Sequence, residues 1–325
     1  MTTNSSPPFT TPVAPEVLAE TRAFNVQLER LIATQPSAHT VPLPVIRQKR
    51  REGKGIFPPP VLLPQARDLH IAGRGGQIRL RVLAPAREAR GVYLHIHGGG
   101  WALGGADMQD PLLMELAEAT GLCVVSVDYR LAPEHPHPAG ADDCEDAARW
   151  LVENGVEELG VPRRLAVGGE SAGAHLSVVT LLRLRDAHGI RGAFRAANLV
   201  FGAYDLSMVP SARSWGDRNL VLSGPILECL VAAFLPGEDR EARRAPAVSP
   251  LFADLCDLPP ALFTVGTLDP LLDDSLFMEA RWRAAGGRTQ LRVWPEAVHG
   301  FTAYPIAMAK AANAVQYEFL AASLE

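Results

Sequence analysis

The sequence predicts an α/β protein with a mainly parallel, eight-stranded sheet covered by helices on both faces. Three observations carry this. Short, almost wholly apolar runs recur along the chain, as strands buried on both faces require. Helical stretches separate most of them, and strand–helix alternation builds parallel sheets. The first two strand-like runs instead alternate around a tight Arg-Gly-Gly turn, which predicts a hairpin at one end of the sheet.

In chain order, residues 1–15 are polar and proline-rich and are expected to fray. The stretch "PEVLAETRAFNVQLERLIA" then spaces Val17, Phe24, Leu28, Leu31 and Ile32 by threes and fours, the face of an amphipathic helix. The proline-rich, basic stretch "VPLPVIRQKRREGKGIFPPP" is read as a connector. The hairpin runs "LHIAG" and "QIRLRVLAP" follow, then the buried-strand runs "GVYLHIH", "LCVVSVDY", "RLAVGG", "ANLVFGA", "ALFTVG" and "QLRVW". Helices are expected at Pro111–Ala119, Asp142–Glu153, Ala172–Asp186 and Asp274–Ala285. Residues 204–260 interrupt this rhythm with no clear strand, and they hold the apolar helix candidate "GPILECLVAAFL". A connection that long usually carries its own structure and a function such as a lid. Its Ile226, Leu227, Leu230, Val231 and Phe234 are the expected partners of the N-terminal helix face.

The bulk numbers narrow the function class. The chain has 325 residues, 47% hydrophobic and 21% charged, within reach of one large domain with an insertion. A net charge of −5 offers no basic surface for phosphate backbones, so no nucleic acid partner is expected. No apolar run reaches the roughly 18 residues of a membrane span, and the N-terminal stretch has no signal-peptide pattern. The chain is therefore read as cytoplasmic. Cys123, Cys144, Cys229 and Cys256 form no C-x-x-C pair and are expected to be buried free thiols. His95, His135 and His137 could suggest a metal site, but strand alternation aims His95 and His97 at the same face with no carboxylate or cysteine beside them in sequence, so neither metal nor cofactor is expected. The end strand of such a sheet can pair with a second copy, which makes a homodimer conceivable as a partner state.

One motif carries chemistry in its required context. Gly169-Glu170-Ser171-Ala172-Gly173 follows a strand and opens a helix, the setting in which a G-x-S-x-G turn exposes its serine as a nucleophile. The helix start also aims backbone N–H groups and its positive dipole end at that place. A serine hydroxyl needs a base. The chain order of such proteins is serine, acid, histidine, and only one of the nine histidines lies beyond residue 188, namely His299. The acid must lie between them. Asp205, Asp217, Asp254, Asp257, Asp269, Asp273 and Asp274 are candidates; Asp269 closely follows a buried strand and is preferred, with Asp273 second. "HIHGGGW" then has a reason. N–H donors must approach a developing oxyanion closely, and side chains at Gly98, Gly99 and Gly100 would block that approach. The second source of donors is the N–H of Ala172. Trp101 lines the pocket or packs beside the glycines; Arg130 and Glu134 are expected to brace loops.

"HGGGW", "DYRLAPEHPHPA", "GESAG", "DPL" and "HGF", in that order, resemble the hormone-sensitive-lipase-like esterases of the α/β-hydrolase fold, the bacterial family IV carboxylesterases. The resemblance runs from about residue 70 to the end. It implies Ser171, Asp269 and His299 as a triad and Gly99, Gly100 and Ala172 as the oxyanion hole. It gives His97 the task of organising the loop. It also implies a cap made of residues 1–60 and 204–260 over a core of 61–203 and 261–325. The substrate would be a small ester, cleaved through an acyl-enzyme. Glu170 stands where the family commonly has Asp, and Gly140 where a bulkier residue is usual. An amidase or deacetylase uses the same triad. A non-catalytic receptor on this fold would lack the histidine, which is present here as His299.

Overall fold

The computed structural model describes residues 9–323. Its strands are β1 (Arg67–Gly73), β2 (Gly76–Leu83), β3 (Val92–Ile96), β4 (Cys123–Asp128), β5 (Leu165–Glu170), β6 (Phe194–Val200), β7 (Ala261–Leu268) and β8 (Thr289–Val298). They form one sheet in the order β1-β2-β4-β3-β5-β6-β7-β8. The hairpin β1–β2 and the β2–β4 pair are antiparallel, and every other neighbouring pair is parallel.

The apolar runs follow from burial on both faces. In β3, Val92, Leu94 and Ile96 face one cluster, while Tyr93 faces the other with Leu113 and Leu116. That second face is covered by α3 (Asp110–Thr120) and α10 (Ala307–Ala322). The first is covered by α4 (Ala139–Trp150), α6 (Ala172–His188) and α9 (Leu272–Ala284). Helix α4 begins three residues before its expected start. Instead of ending at Glu153 it passes through a π turn, Leu151–Gly155, into a last turn, α5 (Val156–Glu158).

The N-terminal third departs most from expectation. The reading of residues 1–15 as frayed lies outside the described residues for the first eight. Beyond them it does not hold: Thr11 N–H donates to the Val293 carbonyl at 2.7 Å on the outer edge of β8, and α1 (Pro15–Ala33) starts at Pro15. The basic connector is in part a helix, α2 (Leu43–Arg51), with Pro44 in its first turn, where a missing N–H costs nothing.

Helix α1 buries Thr21, Asn25, Leu28 and Ile32, while Leu31 is 46% exposed. The buried stripe is thus rotated toward polar positions. The cause lies at the end of β8, where Glu296 has φ 58° and its carbonyl accepts from Asn25 Nδ2 at 2.8 Å. Leu28 and Ile32 pack with Val293, Phe301 and Tyr304. The expected partner surface on α8 (Gly224–Phe234) is therefore not what α1 covers. It meets the insertion instead at Leu220 and through the Glu29–Arg218 ion pair. Leu43 of α2 and Ala38 join Ile226, Leu227 and Leu230 of α8 in one cluster. The insertion also holds the short α7 (Pro210–Ser214) and two 3-10 turns, Ala242–Arg244 and Pro250–Phe252.

The thiol expectation needs correction too. Cys123 and Cys144 are buried, but Cys229 is partly exposed and Cys256 exposed, because both sit outside the sheet in the insertion. Among the described residues no helix is long and apolar enough to cross a membrane.

Candidate active site

β5 delivers the chain into a turn that only a few residues allow. Ser171 has φ 56° and ψ −118°, a conformation that costs a non-glycine residue about 1–3 kcal/mol. The turn is held by the Ser171 N–H donating to the Val200 carbonyl at 2.8 Å. A Cβ at Gly169 or Gly173 would lie 1.9 or 1.8 Å from the Ile96 carbonyl oxygen, so glycine is required on both sides of the serine.

Three side chains from three loops meet at this point. Ser171 Oγ lies 3.0 Å from His299 Nε2, and His299 Nδ1 lies 2.8 Å from Asp269 Oδ2. Asp269 is 1% exposed and its second oxygen accepts the Leu271 N–H at 2.8 Å, so the carboxylate is fixed at both oxygens. The runner-up, Asp273, is turned to the Ser211 N–H. Asp274 accepts the N–H groups of Tyr204 and Asp205, and burial raises its pKa well above the usual carboxylate range. Asp205 bonds Ser207.

The glycine loop lies against this group. Gly99 has φ 122°, and a Cβ there would stand 2.2 Å from the Leu103 carbonyl oxygen. The N–H groups of Gly99 and Gly100 meet no acceptor among the described residues. Ala172, first residue of α6, has an N–H without an intrahelical acceptor. His97 Nδ1 donates to the Gly98 carbonyl at 2.8 Å and its ring stacks on Tyr129 at 4.2 Å. The Tyr129 hydroxyl donates to the His97 carbonyl. Burial pulls the His97 pKa down to about 4, so its ring is neutral at pH 7.

Trp101 packs rather than lines the cavity. It is buried, stacks on Phe234 at 4.8 Å and donates from Nε1 to His175 Nδ1 at 3.0 Å. His175 Nε2 in turn donates to the Val248 carbonyl at 2.8 Å. Both ring nitrogens are thus committed to the neutral form, and burial lowers the pKa of His175 to about 4. In the unfolded chain the same group titrates near 6.5. The unfolded state therefore binds more protons between these values, and stability falls as pH drops from 6.5 toward 4. Urea midpoints measured across that window should show the loss, with His175 responsible for about 3 kcal/mol of it. A His175→Gln variant should show a correspondingly shallower dependence on pH.

Glu170, beside the serine, has a partner that no local pattern revealed. Its carboxylate lies 3.1 Å from His95 Nε2, and His95 Nδ1 lies 2.8 Å from Ser126 Oγ. The longer reach of Glu over Asp suits that bond. Arg130 is held by Asp143, and Glu134 pairs with Arg47 of α2.

Ser171 and His299 open onto a cavity of about 370 Å³. Its walls include Ile32, Ile46 and Phe57 from the N-terminal segment and Leu222, Ile226 and Leu230 from the insertion. Leu230 and Ile226 belong to the insertion face already singled out in sequence, whereas Phe57 carries no signature there; only the stretch it belongs to does. Among the described residues no three His, Cys, Asp or Glu side chains cluster as a metal would require.

The signature of the family described as the alpha/beta hydrolase fold matches residues 93–303. The carboxylesterase NlhH of Mycobacterium tuberculosis is 37% identical over 296 residues, covering 88% of this chain and 91% of that protein. An acetyl-hydrolase of Streptomyces hygroscopicus is 35% identical over 216 residues, 66% of this chain and 69% of the relative. The esterase of Pyrobaculum calidifontis superposes with a TM-score of 0.84 at 28% identity, covering 96% of this chain and 99% of that one. The chain belongs to the α/β-hydrolase fold family, within its hormone-sensitive-lipase-like carboxylesterase branch.

Proposed function

We propose that the protein hydrolyses small carboxylic esters with short acyl chains, with Ser171 as nucleophile, His299 as base and Asp269 as its orienting acid. The observation that carries this is the continuous hydrogen-bonded chain from Ser171 through His299 to Asp269 at the wall of a largely apolar cavity. His299 Nε2 takes the hydroxyl proton as Ser171 Oγ attacks the ester carbonyl. The oxyanion is received by the N–H groups of Gly99, Gly100 and Ala172, whose amides are free to donate. Collapse of that intermediate expels the alkoxide, which leaves with the proton held by His299. Water then repeats the sequence on the acyl-serine and releases the acid.

Residues 9–60 and 204–260 act as the cap on this reading and residues 61–203 and 261–323 as the catalytic core, the first eight and last two residues of those segments lying outside the described residues. Ile32 and Phe57 from one segment and Ile226 and Leu230 from the other support it, since they face the same cavity as Ser171. Such a roof excludes water and limits acyl length. Rates on p-nitrophenyl esters from acetate to laurate, beside the matching anilides, test the proposal. Short esters should give the highest kcat/KM and the anilides should turn over far more slowly. Faster cleavage of the anilides would overturn it in favour of an amidase.

A further inference from the structure

Arg50, in the last turn of α2, lines the same cavity as Ser171 and His299. It is partly buried, and its guanidinium carbon sits 5.0 Å from the centroid of the Phe57 ring. Its helix neighbours Arg47 and Arg51 pair with Glu134 and Asp107. Among the described residues no carboxylate pairs with Arg50. Burial draws its pKa down, and the Tyr304 phenol opposes that shift. That hydroxyl is itself buried without a hydrogen-bond partner, and its ring stacks on Phe57 at 5.3 Å. The rest of the cavity does not balance the charge. Lys49 also lines it, Lys54 is paired with Glu52, and among the described lining residues the one carboxylate, Glu170, is held by His95.

A guanidinium in such a place lacks the partner its planar fork fits best, a carboxylate bound through two hydrogen bonds. The cation–π contact with Phe57 compensates part of the lost hydration. The position of Arg50 indicates which half of a substrate would supply the anion. Phe57 lies against Gly300, where an added Cβ would come within 3.0 Å of its ring. Arg50, Phe57 and Gly300 thus form one wall beside His299, and His299 is the group that hands its proton to the departing alcohol.

We propose that Arg50 binds an anionic group on the alcohol half of the ester, so that the preferred substrates are esters of alcohols or phenols carrying a carboxylate or similar anion. This rests on the reading of Ser171, His299 and Asp269 as an ester-cleaving triad. The test uses the full chain and two matched pairs: meta-carboxyphenyl against phenyl butyrate, and monophenyl adipate against phenyl hexanoate. The ratio of kcat/KM within each pair is compared between wild type and Arg50→Gln, so that intrinsic reactivity cancels. Loss of a charge-assisted contact should lower the first ratio by roughly tenfold or more, and much less in Arg50→Lys. Added salt should lower the wild-type ratio more steeply than that of Arg50→Gln, which keeps the cationic Lys49 on the cavity wall. Arg50→Glu should turn the preference toward meta-trimethylammoniophenyl butyrate. A first ratio unchanged in Arg50→Gln would overturn the proposal, and a fall confined to the adipate pair would overturn the alcohol-side assignment. Absence of wild-type turnover on all four esters would instead overturn the esterase reading beneath it.

Discussion

Replacing Ser171 by alanine is expected to lower kcat on a p-nitrophenyl ester by about a millionfold, the usual cost of removing a triad serine. The fold should survive, because the strain of the turn lies in the backbone and alanine tolerates it no worse than serine. The hydroxyl's one bond is to His299, so its loss leaves no buried donor without an acceptor. His299→Ala should be equally inactive. The double variant should be no worse than either alone, because nucleophile and base act as a unit. Burst kinetics and labelling by an organophosphate provide the direct check: wild type should take up one equivalent at Ser171, and the alanine variant none. Residual turnover in Ser171→Ala above one part in a thousand would mean that another group attacks the ester.

Asp269→Asn should lower kcat by about ten thousandfold while leaving the structure almost unchanged. The side chain is 1% exposed and accepts at both oxygens, from His299 Nδ1–H and from the Leu271 N–H. An amide fills the same space. It can keep the Leu271 bond through its oxygen, which then turns its NH2 toward His299. The imidazole must respond by accepting at Nδ1, and its proton moves to Nε2, where it faces Ser171 and cannot take the serine proton. The defect should appear in kcat with little change in KM, and alkaline conditions should restore part of the rate as hydroxide replaces the missing base. A loss of tenfold or less would show that Asp269 is a packing residue.

Much of the architecture is written locally. Strands buried on both faces must be apolar at every position, so β3 to β7 stand out as runs, and the helices between them require parallel pairing. The alternating hairpin marks β1 and β2, where one face is wetter. Gly169 and Gly173 are dictated by the Ile96 carbonyl. That collision belongs to every strand–turn–helix of this geometry, which is why a five-residue pattern can be read without coordinates. His299 follows by elimination in the chain order. The acid is less determined. Asp269 and Asp273 lie four residues apart, and their fates diverge because the first stays in the loop after β7 while the second is carried into α9 and toward Ser211.

What the sequence by itself determined is the fold class, the strained turn at Ser171, the glycine loop and the histidine that lies within hydrogen-bond reach of that serine. Each depends on spacing within a few residues or on chain order, which folding does not alter. Only the tertiary structure decided which neighbours those residues acquired. The buried face of α1 turned away from Leu31 because a carbonyl at residue 296 needed a donor, a demand arising 271 residues further on. His95 found Glu170 across adjacent strands, and Arg47 and Arg51 found carboxylates where Arg50 found a phenylalanine ring. Three arginines within one helix are alike in sequence. They differ in the packed molecule because a side chain's charge is balanced by whatever the fold brings within a few ångströms, and that distance is set by the crossing of elements, not by the order of residues.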